Sequence, residues 1–457
     1  MRRRILVASV VAALLLAACG NSASSKPASQ AKKSGSSSGV TEVTGADLQK
    51  KVAVSGVQGV TDTEIRVAVV TSATNILAGN YKAFADGVQA YFDYANSKGG
   101  IYGRNLKVVA NRDDAMFNNE QQVKASLAQD NAFATFVATP LFTGAPDLAT
   151  VPTMPVFIWN INPEFTGHQN FFANMGAICF TCLGQYGPWL AQANHFTKVA
   201  VIGYGATASS KQCAQSAKDA FTKYPSAHVV YFENNLQFSQ PDLSAQVSQM
   251  KQKGAQLIFT CIDQKESLIL GKEIVKQNLQ AIQSLPNSYD AKFIKDGKAY
   301  LEGDLVEPQF QAFEKDAPSP EGDLYKQWIA KSGKSVSELS TYGWIDALQM
   351  VHGLKLAGPN FSQQKVIDAL NQDTHFDANG LIVPIDWTKQ HNDPAGPNGT
   401  FNQNAGNYDC HSQTKVHNGE LVPVFDKPGK PWVCMLGRNP STLTKTPVYR
   451  TFVGSGD

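Results

Sequence analysis

Between Ile65 and Ala115 a short apolar run, a polar loop, an amphipathic segment, a glycine turn and a second extended run follow one another, an order that few folds accommodate. Ile65 to Val70 (IRVAVV) is β-branched and apolar, too short for the core of a helix, and suits a strand buried on both faces, as parallel sheets require. Thr71 to Asn80 (TSATNILAGN) is small and polar, which lets backbone and hydroxyls approach a ligand at the carboxyl end of the strand. From Tyr81, the residues Phe84, Val88, Tyr91, Phe92 and Ala95 recur at spacings of three and four, the period of a helix with one face on a sheet. Gly99 and Gly100 stop it. Strand, helix and strand in this order predict a doubly wound α/β sheet.

The pattern continues with a helix from about Asn119 to Asp130 and strands at Phe133 to Ala138 and Pro155 to Trp159. Lys198 to Gly203 (KVAVIG) opens a second series: helix Ser209 to Tyr224, strand His228 to Phe232, helix Leu243 to Lys253, strand Gln256 to Cys261, helix Lys265 to Gln277. The expectation is two parallel-sheet lobes of similar plan without a sequence repeat between them. The chain of 457 residues is long enough for two cores, and beyond its N-terminus it has no apolar run long enough to span a bilayer.

That N-terminus has three arginines, the run ILVASVVAALLLAA and then Cys19, the layout of a secretory signal. LAAC resembles a bacterial lipobox, which implies cleavage before Cys19, lipid on its thiol and membrane contact through that lipid. Residues 1–18 are then the signal, and 19–60, rich in Ser, Gly, Ala and Lys, a flexible tether. Charge is balanced at 40 basic and 38 acidic residues, so no field argues for nucleic acid.

GGIYGR (Gly99 to Arg104), the strand after it and the Asp113-Asp114 pair resemble the leucine/isoleucine/valine-binding family of periplasmic solute receptors. The helix containing Tyr342, Gly343, Trp344, Asp346 and Ala347 resembles that family's aromatic-Asp-Ala helix, and DANGLIVPIDW resembles strands that return to the second lobe. The resemblance implies a type I periplasmic binding protein fold, with 61–178 and 296–372 in the first lobe, 179–295 and 373–436 in the second, and 437–457 a tail. Three crossings imply a hinge that closes around a small molecule.

The family draws ligand groups from strand ends in both lobes. Carried over residue by residue, this points to Thr139 as a hydroxyl, with Phe142, Trp159 and Asn160 as first-lobe walls, although Trp159 and Phe142 serve equally well as core aromatics. In the second lobe Ser209 falls where a Tyr-Gly pair is usual, Asp263 where a tyrosine is usual, and Tyr289 near the acidic position that meets an ammonium. Asp263 reads either as an amine partner or as the N-cap of the helix beginning at Lys265.

Six cysteines remain after Cys19 in a chain bound for an oxidising compartment, which favours disulfides but leaves fifteen pairings. Cys410 and Cys434 flank a hairpin whose turn is Asn418-Gly419, and strand ends at comparable distances from a turn are brought together by the ladder, so these two are expected to pair. Cys179 and Cys182 form a CxxC that reads as a structural bridge, since no thioredoxin-like context surrounds it. No nucleophile elbow, phosphate loop or HExxH occurs. Catalysis, metal and cofactor are therefore not expected. The expected role is that of a monomeric receptor handing an amino-acid-like or related polar ligand to a membrane ABC permease; the alternative is a sensor that signals to a membrane partner.

Overall fold

The computed structural model describes residues 45–314, 318–392, 394–401, 409–424, 427–435 and 441–453. Cys19 and the signal lie outside these residues. Five parallel strands form the first sheet: β1 (Glu64–Thr71), β2 (Asn105–Asp113), β3 (Ala134–Ala138), β4 (Val156–Ile158) and β5 (Phe171–Ala173), in spatial order β2-β1-β3-β4-β5. The crossovers carry α1 (Ala83–Ser97), α2 (Asn119–Gln129) and α3 (Ala145–Ala149). From Ile65 to Thr71 only Arg66 is not fully buried, as a strand covered on both faces demands.

The second series begins with α4 (Tyr186–Ala193) and continues with β6 (Lys198–Tyr204), α5 (Ala208–Lys223), β7 (His228–Leu236), α6 (Ser244–Lys253) and β8 (Leu257–Cys261). It goes on with α7 (Gln264–Lys276), β9 (Ile282–Leu285), α8 (Ala291–Leu301) and β10 (Leu305–Val306). Helices α9 (Pro320–Lys331), α10 (Glu338–Ala357) and α11 (Gln363–Leu370) then pack around the first sheet's core. The chain ends in β11 (Cys410–His411), β12 (Thr414–His417), β13 (Glu420–Pro423), β14 (Trp432–Cys434) and β15 (Val448–Arg450). The second sheet has the order β13-β12-β10-β9-β8-β6-β7, parallel from β7 to β10 and antiparallel at β12 and β13. A small antiparallel sheet, β11-β14-β15, sets Cys410 directly opposite Cys434, and the two are bridged. The other bridges join Cys179 to Cys182 and Cys213 to Cys261.

Helix α10 lies against α1 because two glycines face the opposing backbone. A Cβ on Gly343 would sit 2.0 Å from the Phe84 carbonyl oxygen, and one on Gly87 would sit 1.9 Å from that of Ser340. The β12–β13 turn carries Asn418 and Gly419 at φ 54° and 79°, the left-handed pair that a two-residue hairpin needs.

Three expectations are corrected. The tether does not reach residue 60, because Leu48, Val54, Val57 and Val60 pack on the first core. Arg104, fully buried, holds this segment by donating to the carbonyls of Val52 at 2.9 Å and Thr61 at 2.7 Å. The second crossing falls after Val306 and not at 296, since β10 pairs with β9. Residues 373–392 do not return to the second sheet: Phe376 and Ile385 form an isolated bridge, and Trp387 packs at 5.1 Å on Phe172 of β5. Gln390 and His391 are buried there too.

Candidate functional site

The carboxyl ends of both parallel sheets are lined by loops, and these two edges touch. On the first sheet they carry, in strand order, Asp114 after β2, Ser72 after β1, Thr139 after β3, Trp159 after β4 and Asn174 after β5. On the second sheet they carry Tyr204 at the end of β6, Ser239 beyond β7, Asp263 after β8 and Asp290 beyond β9. Tyr81, just before α1, donates its hydroxyl to Asp263 at 2.9 Å, and Asn80 donates to Asp290 at 3.2 Å. The Ile76 carbonyl accepts from Ser239 at 2.7 Å and from Lys265 at 3.4 Å. Leu77 and Met116 of the first edge share a core cluster with Tyr204, Leu236 and Leu243.

At the first edge, Ser72 donates to Asp114 at 2.6 Å and lies 2.9 Å from the Thr139 hydroxyl, while Asn119 donates to the other Asp114 oxygen at 2.8 Å. Trp159 stands with its ring 5.4 Å from that of Tyr81, and its Nε1 is buried without a partner. Asn160 donates to Gly176 at 2.7 Å, and its Oδ1 has no partner.

At the second edge, Asp263 occupies the N-cap position of α7 with extended backbone, yet its side chain caps nothing. The carboxylate turns instead to Tyr81 of the opposite edge. One turn along, Glu266 accepts from Tyr204 at 2.8 Å, and its Oε1 has no partner. Tyr204 in turn accepts the Asp263 backbone N–H at 3.1 Å. Glu338, first residue of α10, accepts from Tyr342 at 2.8 Å and from the Tyr289 N–H at 3.0 Å. Burial pushes the Asp263 carboxyl up to about 6 against the pull of the Tyr81 hydrogen bond, and pushes Glu338 to about 7. Burial also raises Glu266. Desolvation is the largest cause of each shift; no cation offsets it at Asp263 or Glu338, and at Glu266 the charge of Lys265 offsets it only in part.

The structure therefore groups Thr139, Trp159, Asn160 and Asp263 at the facing edges and sets the other candidates apart. Phe142 packs on Phe171 at the opposite, amino end of β5 and is a core residue. Tyr289 is buried with its hydroxyl donated to Glu314 at 2.7 Å and accepting from the Phe313 N–H at 2.9 Å, so it braces the second crossing. Ser209 lies half-buried in the first turn of α5, where its neighbour Ser210 makes the contacts: it accepts the Tyr204 N–H at 2.7 Å and donates to the Cys261 carbonyl. Tyr81, Tyr204, Glu266 and Glu338 went unrecognised in the sequence. An Asp and a Glu three apart at a strand-to-helix junction was the available signal, because that spacing sets both on one face of the first turn.

All three crossings meet at His411. Its ring stacks on Tyr186, centroids 3.8 Å apart, its Nδ1 lies 2.5 Å from Glu307 and its Nε2 lies 2.8 Å from Asp409. Burial works against a charged ring, but the two carboxylates outweigh it and lift the imidazole to about 10.

A family model described as periplasmic binding protein matches residues 64–404. A comparison with curated protein sequences finds no match. Among solved structures, the fatty acid ABC transporter substrate-binding protein from Thermomonospora curvata superposes with TM-score 0.64 at 17% identity, over 81% of this chain and 94% of its own. The branched-chain amino acid transporter substrate binding protein of Streptococcus pneumoniae, in complex with isoleucine, gives TM-score 0.64 at 14% identity, over 79% and 98%. A Thermus thermophilus branched chain amino acid ABC transporter with bound valine gives 0.62 at 13%, over 79% and 96%.

Proposed function

This chain belongs to the periplasmic binding protein family, a family of solute-binding receptors, and from that premise we propose that it is a lipoprotein, anchored through Cys19, that captures a small amino-acid-like or related polar ligand and delivers it to an ABC permease. It performs no catalysis of its own. The observation that carries this reading is the Tyr81–Asp263 contact, in which a group from each sheet's carboxyl edge meets in a buried site. Open α/β sheets bind ligands at those edges. Thr139, Trp159 and Asn160 on one side and Asp263 on the other are the residues we assign to the ligand. The isoleucine and valine held by the Streptococcus and Thermus proteins indicate its size.

Ligand binding should hold the two sheets together about the His411 crossings, because both edges must desolvate the same molecule. Thermal-shift screening of amino acids, amines, amides and organic acids identifies the ligand through its stabilisation by mass action. Small-angle scattering with and without the hit then reads closure. An unchanged radius of gyration counts against the reading.

A further inference from the structure

We propose that the ligand is an organic cation without a carboxylate: an amine whose nitrogen sits between Asp263 and Glu266 and whose neutral oxygen, an amide carbonyl or a hydroxyl, meets Trp159. This rests on the receptor reading above and deepens it by fixing the charge of what is bound.

Five carboxylates line the facing edges, Asp114, Asp263, Glu266, Asp290 and Glu338, and none is more than 7% exposed. Among the described residues, none of them forms an ion pair with a lysine, arginine or histidine. Neutral donors hold them instead: Ser72 and Asn119 on Asp114, Tyr81 on Asp263, Tyr204 on Glu266, Asn80 on Asp290, Tyr342 and a backbone N–H on Glu338. Lys265 is the nearest cation to Glu266, but its ammonium is bonded to the Ile76 carbonyl and to Ser239 at 3.2 Å. Glu307, which also acts on Glu338, is compensated by His411.

Such a site repels anions. The hydroxyls that could receive a ligand carboxylate, Ser72 and Thr139, are bonded to each other and, through Ser72, to Asp114. A second carboxylate bonded there would lie roughly 5 Å from the first, a like-charge repulsion that a site shielded from water screens poorly. An ammonium near Asp263 and Glu266 gains by the same argument.

Two unpartnered atoms give the arrangement its polarity, independently of the charge balance. Glu266 Oε1, in a fully buried residue, is an acceptor awaiting a donor. Trp159 Nε1, in a residue 2% exposed, is one neutral donor awaiting an acceptor. A single indole N–H satisfies a carbonyl or hydroxyl oxygen and leaves a carboxylate largely uncompensated. The Tyr81 ring stands against the Trp159 indole and its hydroxyl is bonded to Asp263, so a π face, which favours a cation, joins the two edges.

The test is isothermal titration of the full-length chain at pH 7.5 with matched probes that share a side chain and differ in charge. The series is leucine, leucinamide, 3-methylbutylamine and 4-methylpentanoate, with the corresponding sets built on alanine and phenylalanine. The amide of at least one set should bind at least tenfold more tightly than its amino acid, and the carboxylate alone should not bind. Glu266→Gln should weaken the amide at least tenfold with an unchanged ligand-free melting temperature or a higher one, whereas Trp159→Phe should weaken the amide more than the simple amine. Tighter binding of any amino acid than of its amide overturns the inference and leaves the receptor reading standing. No binding by any cation overturns it as well. If scattering also stays unchanged with every zwitterion and anion, the receptor reading falls with it.

Discussion

Asp263 should set the pH response of the ligand-free protein, and Asp263→Asn is the perturbation that exposes it. Burial raises the carboxyl from its ordinary 3.8 to about 6. The folded state therefore holds the proton more tightly than the unfolded chain, and the associated stability is fully present below 3.8 and lost as pH rises through 6. At 1.36 kcal/mol per pH unit this gap corresponds to about 3 kcal/mol, an upper bound since relaxation of the site reduces it. Glu338, lifted from 4.5 to about 7, changes in the same direction. His391, lowered to about 4 by burial, opposes both, because stability tied to its neutral ring is lost as pH falls from 6.5 through 4. A wild-type curve sums these and other shifted groups such as Asp304, Asp346 and His411, so the informative quantity is the difference between wild type and Asp263→Asn. Asparagine keeps an oxygen for the Tyr81 hydroxyl and removes the titration. Urea denaturation from pH 3 to 8 should show the variant gaining on wild type by up to about 3 kcal/mol as pH rises, with half of the change reached at about pH 5, midway between the unfolded and folded values, and the change nearly complete above 6. A flat difference, or one that favours wild type at neutral pH, would refute the claim that this carboxylate is buried without a cation.

Reducing Cys410–Cys434, or replacing both by Ser, should cost about 2 to 4 kcal/mol on denaturation; a free thiol at either position in non-reducing peptide mapping would remove the basis for this. Gly343→Ala should destabilise by at least about 1 to 3 kcal/mol, because the new Cβ would lie 2.0 Å from the Phe84 oxygen and must push α10 off α1; melting close to wild type would contradict that packing. His411→Gln leaves the half-buried Glu307 and Asp409 facing each other without their shared cation and should cost about 1 to 3 kcal/mol, with a change in ligand affinity because the crossings lose a common partner. Unaltered stability in that variant would show that the ring is not what joins them.

Local physics was legible in the sequence wherever a period or a turn could express it. The β-branched run of β1, the three-four spacing of α1, the alternation of strands and helices and the Asn418-Gly419 hairpin each depend on neighbours within a few residues, so the α/β class followed from the chain alone. The bridge between Cys410 and Cys434 was expected from the hairpin they flank, but it is made in the separate small sheet β11-β14-β15 and not on the β12–β13 ladder. β10, only two residues long, is too short to display a period, and that is why the second crossing was placed before it. Only the tertiary structure showed that 373–392 covers β5, that Arg104 holds the segment before β1, and that Tyr81 reaches Asp263 across 182 positions of chain. Sequence spacing carries no record of such contacts. They arise where two separately formed sheets bring their edges together, and whether an aspartate there caps its own helix or turns to a tyrosine on the other side depends on the geometry of that meeting, not on its neighbours in the chain.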